Sequence, residues 1–102
     1  MIPELGPPKD PAAIENYTVD WSADLDPGET LVTSTFSAFP AAFGDVPLTV
    51  VSSQIEPTAE LTTDVYLSGG DAGKFFEIVN QVTTTANPRG LTKRFILFVQ
   101  EV

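Results

Sequence analysis

The sequence predicts an all-β protein: an immunoglobulin-like antiparallel β-sandwich of six to seven strands, preceded by an extended, proline-rich N-terminal arm. Short runs of alternating apolar and polar residues recur along the chain, and glycine or proline separates them, which is typical of strands joined by turns. β-Branched residues and threonine dominate these runs. No window shows the sustained i, i+3, i+4, i+7 apolar spacing that a surface helix requires.

The arm is predicted over residues 1–13 and the sandwich domain over residues 14–102. Prolines fix φ and lack a backbone donor, so a segment with four of them (Pro3, Pro7, Pro8 and Pro11) is expected to be extended rather than packed. Ile2 and Leu5 are the apolar anchors on this arm. An extended segment loses little entropy on docking, so Ile2 and Leu5 are candidate interface residues. A frayed tail is the alternative.

The first strand is predicted over Ile14–Ser22, where apolar and polar residues alternate and place Trp21 in the core. The acidic turn Ala23–Glu29 matches no calcium-binding loop, so a solvated turn without a metal site is expected. A second strand is predicted over Thr30–Phe36. One of its faces is expected to carry Val32, Ser34 and Phe36, and the other Leu31, Thr33 and Thr35.

The segment Ser37–Pro47 is predicted to be irregular. Its two aromatic residues, Phe39 and Phe43, are expected either to fold back onto the core from a loop or to form an exposed anchor for a partner. A third strand is predicted over Leu48–Ser53, and a fourth over Glu60–Leu67.

The last third of the chain is predicted to form the centre of the sandwich. Gly69, Gly70 and Gly73 permit the positive φ angles of a tight corner. Two long alternating runs, Lys74–Thr85 and Leu91–Val102, then form an antiparallel hairpin. Asn80 shares the predicted core face of the first run, so its amide must find partners there. We expect it to hold a neighbouring loop through backbone hydrogen bonds.

The final strand is apolar on both faces, because Ile96 and Phe98 alternate with Phe95, Leu97 and Val99. An antiparallel sheet usually has one face in the core and one in solvent, so this strand is expected to be covered twice. The second cover would be the arm, the Phe39–Phe43 segment or another protein. Ile96 and Phe98 are therefore candidate interface residues.

Charge is unevenly distributed over a chain whose net charge is −9. All but three of the acidic residues lie between Asp10 and Asp71, a stretch without Lys or Arg. Most of the basic residues lie beyond it, among them Lys93 and Arg94, which are expected to meet acidic partners. The acidic balance disfavours binding to nucleic acid.

Catalytic chemistry has little support in the sequence. The chain has no cysteine and no histidine, so thiolate nucleophiles, imidazole bases and the commonest metal ligands are absent. No nucleophile-elbow or phosphate-loop pattern occurs. No apolar run approaches the length of a membrane span, and no signal peptide is recognised. We expect a protein that is not an enzyme, uses no cofactor and does not enter a membrane.

Several motifs occur in a characteristic order. Lys9-Asp10-Pro11 leads to Asp20-Trp21, and Val65-Tyr66-Leu67-Ser68-Gly69-Gly70 with Ala72-Gly73 forms the corner. The following strand contains Asn80 and Val82-Thr83-Thr84, and Arg94 lies near the start of the closing run. Together these motifs resemble the phage fiber-tail adaptor proteins of tailed bacteriophages. Tyr66 stands where that family's pattern has tryptophan, and the Phe39–Val46 insert looks longer than the pattern.

The resemblance implies a structural protein of the virion, assembled in the host cytoplasm and present in multiple copies in a symmetric assembly. Its expected role is an adaptor that joins the tail or connector to a fiber or to a neighbouring subunit. Two alternatives stay open. One is a head decoration or cement protein that binds capsid protein through the same fold. The other is a host-surface carbohydrate-binding module, which the predicted burial of Tyr17 and Trp21 disfavours.

Overall fold

The structure is a computed structural model that describes residues 4–5, 13–40, 48–70, 72–85 and 90–100, with the backbone alone described for residues 4–5. Alternating apolar residues give seven strands, and no helix occurs within these ranges. The strands are β1 (Glu4–Leu5), β2 (Glu15–Asp20), β3 (Leu31–Pro40), β4 (Thr49–Ile55), β5 (Thr62–Ser68), β6 (Lys74–Thr84) and β7 (Gly90–Val99).

The strands form two sheets that pack face to face. One sheet has the order β1-β7-β6-β3 and the other β2-β5-β4. All neighbours are antiparallel except β1, which runs parallel to β7. A fully buried apolar cluster lies between the sheets and confirms the all-β sandwich. The immunoglobulin-like detail stays a prediction, supported by strand orders that correspond to B-E-D and G-F-C of immunoglobulin domains.

The hairpin predicted for the last third is confirmed as β6 and β7. Phe76 pairs with Leu97 and Ile78 with Phe95, so the core faces of the two strands coincide. Phe76, Ile78 and Leu97 are fully buried. β6 also pairs along its other edge with β3, which places the hairpin at the centre of the larger sheet.

The glycine corner between β5 and β6 has the predicted backbone conformation. Gly69, Gly70 and Gly73 have φ angles of 80°, 91° and 82°. Gly70 is constrained a second time, because a Cβ atom there would lie 2.7 Å from Leu48 Cδ2 and 2.9 Å from Val99 Cγ2. Any larger residue at Gly70 would therefore have to push the core apart as well as adopt a left-handed conformation.

Two predictions for the second strand are wrong. β3 continues to Pro40, so Phe39 lies on a strand and not in an irregular segment. The predicted faces are also reversed at the start of β3, since Leu31 is 1% exposed and Val32 56%. The cause is a β-bulge between Leu31 and Thr33, which inserts one residue and shifts the alternation. β4 has a similar irregularity between Val50 and Ser52.

Asn80 joins the two sheets, but the prediction that it would hold a loop is wrong. Its Oδ1 accepts from Trp21 Nε1 at 3.0 Å and from Thr63 Oγ1 at 2.7 Å, both in or next to the smaller sheet. Its Nδ2 donates to Ser34 Oγ at 2.9 Å and to the carbonyl of Thr35 at 3.2 Å on β3. The amide thus finds all its partners in neighbouring strands.

Candidate docking surface

The larger sheet has an apolar surface on the side that faces away from the core, here called the outer face. Side chains alternate along each strand, so the residues that follow the buried positions point outward. Phe39 is 52% exposed and Phe75 49% exposed, whereas Ile96 and Phe98 are half-buried. The outer face is defined by these four residues, one or two from each of β3, β6 and β7.

The strand register brings the four residues into two adjacent rows. Phe75 pairs with Phe98, and their ring centroids are 4.7 Å apart. Phe39 pairs with Glu77, which pairs in turn with Ile96. Directly opposite and diagonal positions on one sheet face are close enough for aromatic side chains to interact. The apolar residues therefore lie close together on one face, where Phe75 contacts Phe98 and Glu77 lies between Phe39 and Ile96.

Val79 extends the patch in the direction of the next row. It is only 7% exposed, yet it belongs to neither of the two buried clusters between the sheets. Its register partners are Ser37 on β3 and Arg94 on β7. Val79 is thus an outward-facing position of the sheet that is nearly closed to solvent.

The outer face carries one pair of opposite charges. Arg94 Nε lies 3.8 Å from Glu77 Oε1, and both side chains are substantially exposed to solvent. Such an exposed pair contributes little to stability. It leaves the surface formally neutral in a chain whose net charge is −9. Arg94, which the sequence offered as a contact for acidic partners, lies beside the apolar residues.

Lys93 lies on the opposite side of β7 from Arg94 and makes contacts within its own chain. Its Nζ is 2.5 Å from Asp24 Oδ2, donates to the carbonyl of Asp20 at 2.8 Å and lies 5.1 Å from the centroid of the Trp21 ring. These contacts tie β7 to the turn after β2. Lys93 remains a predicted partner contact, but its described interactions are internal.

The smaller sheet has a different outward surface. Asn16, Thr18 and Asp64 lie there, and Thr18 Oγ1 donates to Asp64 Oδ1 at 2.6 Å. Asp20 follows on β2, where the backbone N–H of Ser22 lowers the pKa of its carboxyl. Two large side chains of this sheet are also exposed, Tyr66 on the middle strand at 44% and Val51 on β4 at 51%. The outward surface of the smaller sheet is therefore mostly polar and acidic, with these two residues exposed on separate strands.

Three predicted interface residues, Ile2, Leu5 and Phe43, are not among the residues that define the outer face. Ile2 and Phe43 lie outside the described residues. Leu5 lies on β1, whose backbone pairs with β7 at Ile96. Two residues of the arm, Glu4 and Leu5, form a strand at the edge of the larger sheet, next to the final strand.

Phe75 is the residue that the sequence did not single out. It lies on the face of β6 opposite Asn80, and its neighbours on that face include the polar residues Glu77 and Gln81. The available signal was its register with Phe98, because two outward aromatics on adjacent strands of one hairpin form a pair.

Other kinds of site find no support in the described part of the chain. No group of three or more potential ligand residues that could hold a metal ion occurs there. None of the secondary-structure elements within those ranges is a helix long and apolar enough to cross a membrane.

The fold and the outer face define a small β-sandwich module that presents one apolar, neutral surface and one acidic surface. Comparison with family models identifies the kind of module. The model for podophage GP4 fiber-tail adaptor protein gp77 matches residues 9–98, and the chain therefore belongs to this family. Comparisons with curated proteins and with solved structures found no match. The chain is thus a phage structural protein of the fiber-tail adaptor family, a class whose members bind other proteins of the virion.

Proposed function

We propose that the protein joins the tail or connector of the virion to a fiber or a neighbouring subunit, and that the outer face is one of its two contact surfaces. The observation that carries this proposal is the contrast between the two sheets. Phe39 and Phe75 are half exposed on one side of the sandwich beside Ile96 and Phe98, whereas the other side is mostly polar and acidic. Contiguous apolar patches on small soluble domains mark sites of contact with other proteins.

The composition of the outer face suits such a contact. Aromatic residues are enriched at protein interfaces and carry much of the binding free energy. Glu77 of the charged pair Arg94–Glu77 lies between Phe39 and Ile96, so the pair can select a partner of complementary charge. Family membership supplies the class of partner, which is another protein of the virion.

Exchange of Phe39 and Phe75 for serine tests the proposal. Burying the exposed halves of two phenylalanine side chains contributes about 2 to 3 kcal/mol, which corresponds to roughly 30- to 150-fold in affinity. The double variant F39S/F75S should fold, because both side chains are half exposed in the free protein. Phage carrying it should show strongly reduced adaptor in purified particles, measured by quantitative mass spectrometry.

Tyr66→Ser is the matched control, because Tyr66 is an aromatic residue of similar exposure on the opposite sheet. It should be incorporated at the wild-type level. Wild-type incorporation of F39S/F75S would refute the assignment of the outer face. Gold-antibody labelling of intact particles then locates the wild-type protein. Label at the tail or fiber bases supports the adaptor role, whereas label spread over the head would support a decoration role instead.

A further inference from the structure

The N-terminal strand β1 joins the sandwich through a short pairing with β7. It consists of Glu4 and Leu5, and it pairs in parallel with β7 at Phe95 and Ile96. In the order of the larger sheet it is the terminal strand, with β7 as its neighbour. The pairing therefore rests on two residues at the edge of a sheet.

The free energy of this pairing within one chain is close to zero. A backbone hydrogen bond contributes about 0.5 to 1.5 kcal/mol net, and a two-residue parallel pairing offers only a few of them. Fixing the backbone of each residue costs about 1 to 2 kcal/mol. The gain and the cost are of the same size, so a single copy has little preference for keeping β1 in place.

The segment that connects β1 to β2 is long enough to reach another copy. Residues 6–14 link the two strands and include Pro7, Pro8 and Pro11. A proline-rich connection extends about 3.1 Å per residue, so these residues can span roughly 28 Å. The domain measures 42 × 25 × 18 Å, so this reach is comparable with its width.

We propose that neighbouring copies of this chain exchange β1, so that Glu4 and Leu5 of one copy pair with β7 of the next. This inference rests on the proposed assembly of several copies in the virion: the exchanged pairing repeats the internal one and gains from the high local concentration of copies there. The edge that receives β1 runs through Ile96, which also lies on the outer face. The inference does not depend on what the outer face binds, since it concerns contacts between identical chains.

Disulfide trapping tests the exchange directly, because the chain has no cysteine of its own. Leu5 and Ile96 are register partners, and paired positions in adjacent strands lie within the distance that a disulfide can bridge. Phage particles carrying L5C/I96C are oxidised and analysed on a denaturing gel without reductant. Exchange between copies should give a ladder of covalent multimers that collapses to monomer on reduction.

The same gel shows the control variant and the results that would refute the exchange of β1. L5C/Y66C places the second thiol on the opposite sheet and should give no ladder. A fast-migrating monomer with an internal disulfide would overturn the proposal, and so would two unreacted thiols. If L5C/I96C is not incorporated, purified L5C is mixed with isotope-labelled I96C. A mixed disulfide dimer above the level of an L5C and Y66C mixture supports exchange, and its absence refutes it.

Discussion

Replacing Asn80 with leucine, a side chain of similar size, should lower the free energy of unfolding by about 2 to 6 kcal/mol. The amide accepts from Trp21 and Thr63 and donates to Ser34 and Thr35. The two hydroxyl groups can turn to other partners. The Trp21 N–H keeps only a 3.3 Å contact with Thr63, and the Thr35 carbonyl loses its contact with the amide. Weakening or losing a buried hydrogen-bond partner costs about 1 to 3 kcal/mol per group, and the Trp21 N–H and the Thr35 carbonyl together give the stated range.

Urea unfolding followed by circular dichroism measures this loss, and a double-mutant cycle with Trp21→Phe tests its cause. If the cost comes from the orphaned indole N–H, Asn80→Leu should be milder in the Trp21→Phe background by about 1 kcal/mol or more. Equal costs in both backgrounds would show that Asn80 does not act through Trp21. A loss below about 0.5 kcal/mol would refute the view that this network joins the sheets.

Three further outcomes follow from single contacts. Gly70→Ala should destabilise by about 2 to 5 kcal/mol in thermal or urea unfolding, whereas Gly69→Ala, with the same left-handed backbone but open space, should cost only about 1 to 2 kcal/mol. Burial raises the pKa of Tyr17 to about 12. The Tyr17 hydroxyl therefore loses its proton at a lower pH in the unfolded state than in the folded state, and stability should fall between pH 10 and about 12. Tyr17→Phe should remove this part of the loss of stability at alkaline pH. Lys93→Ala should cost about 1 kcal/mol and Asp24→Ala less, because Lys93 also contacts a backbone carbonyl and the Trp21 ring; equal costs in a urea titration would argue against those additional contacts.

Most strands could be predicted because their faces have different environments. In β5, Thr63, Val65 and Leu67 are fully buried while Tyr66 between them is exposed, and this is the alternation that the sequence shows. The glycine corner was predictable for a local reason, since positive φ angles depend on the residue itself. Long-range packing was not needed for either prediction.

The start of β3 could not be predicted because a bulge depends on the neighbouring strand. The sequence assigned Leu31 to the face opposite Phe36, yet both are buried, since the extra residue at Val32 changes the direction of the side chains. Nothing in the local sequence from Leu31 to Thr33 marks the insertion. The extension of β3 to Pro40 has a similar origin, because it follows from pairing with β6 up to Phe76.

The residues of the outer face on β7 could be predicted from the sequence, whereas Phe75 on β6 could not. β7 shows its second apolar face in its own sequence, because Ile96 and Phe98 alternate with buried residues. β6 does not, because Phe75 is followed on the same face by Glu77, and the strand resembles one with a solvated side. The strand register pairs Phe75 with Phe98 and Phe39 with Glu77. Only these pairings show that the exposed residues of the three strands lie close together on one face. Such a patch lowers the solubility of a free domain, which supports the proposal that another protein covers it in the particle.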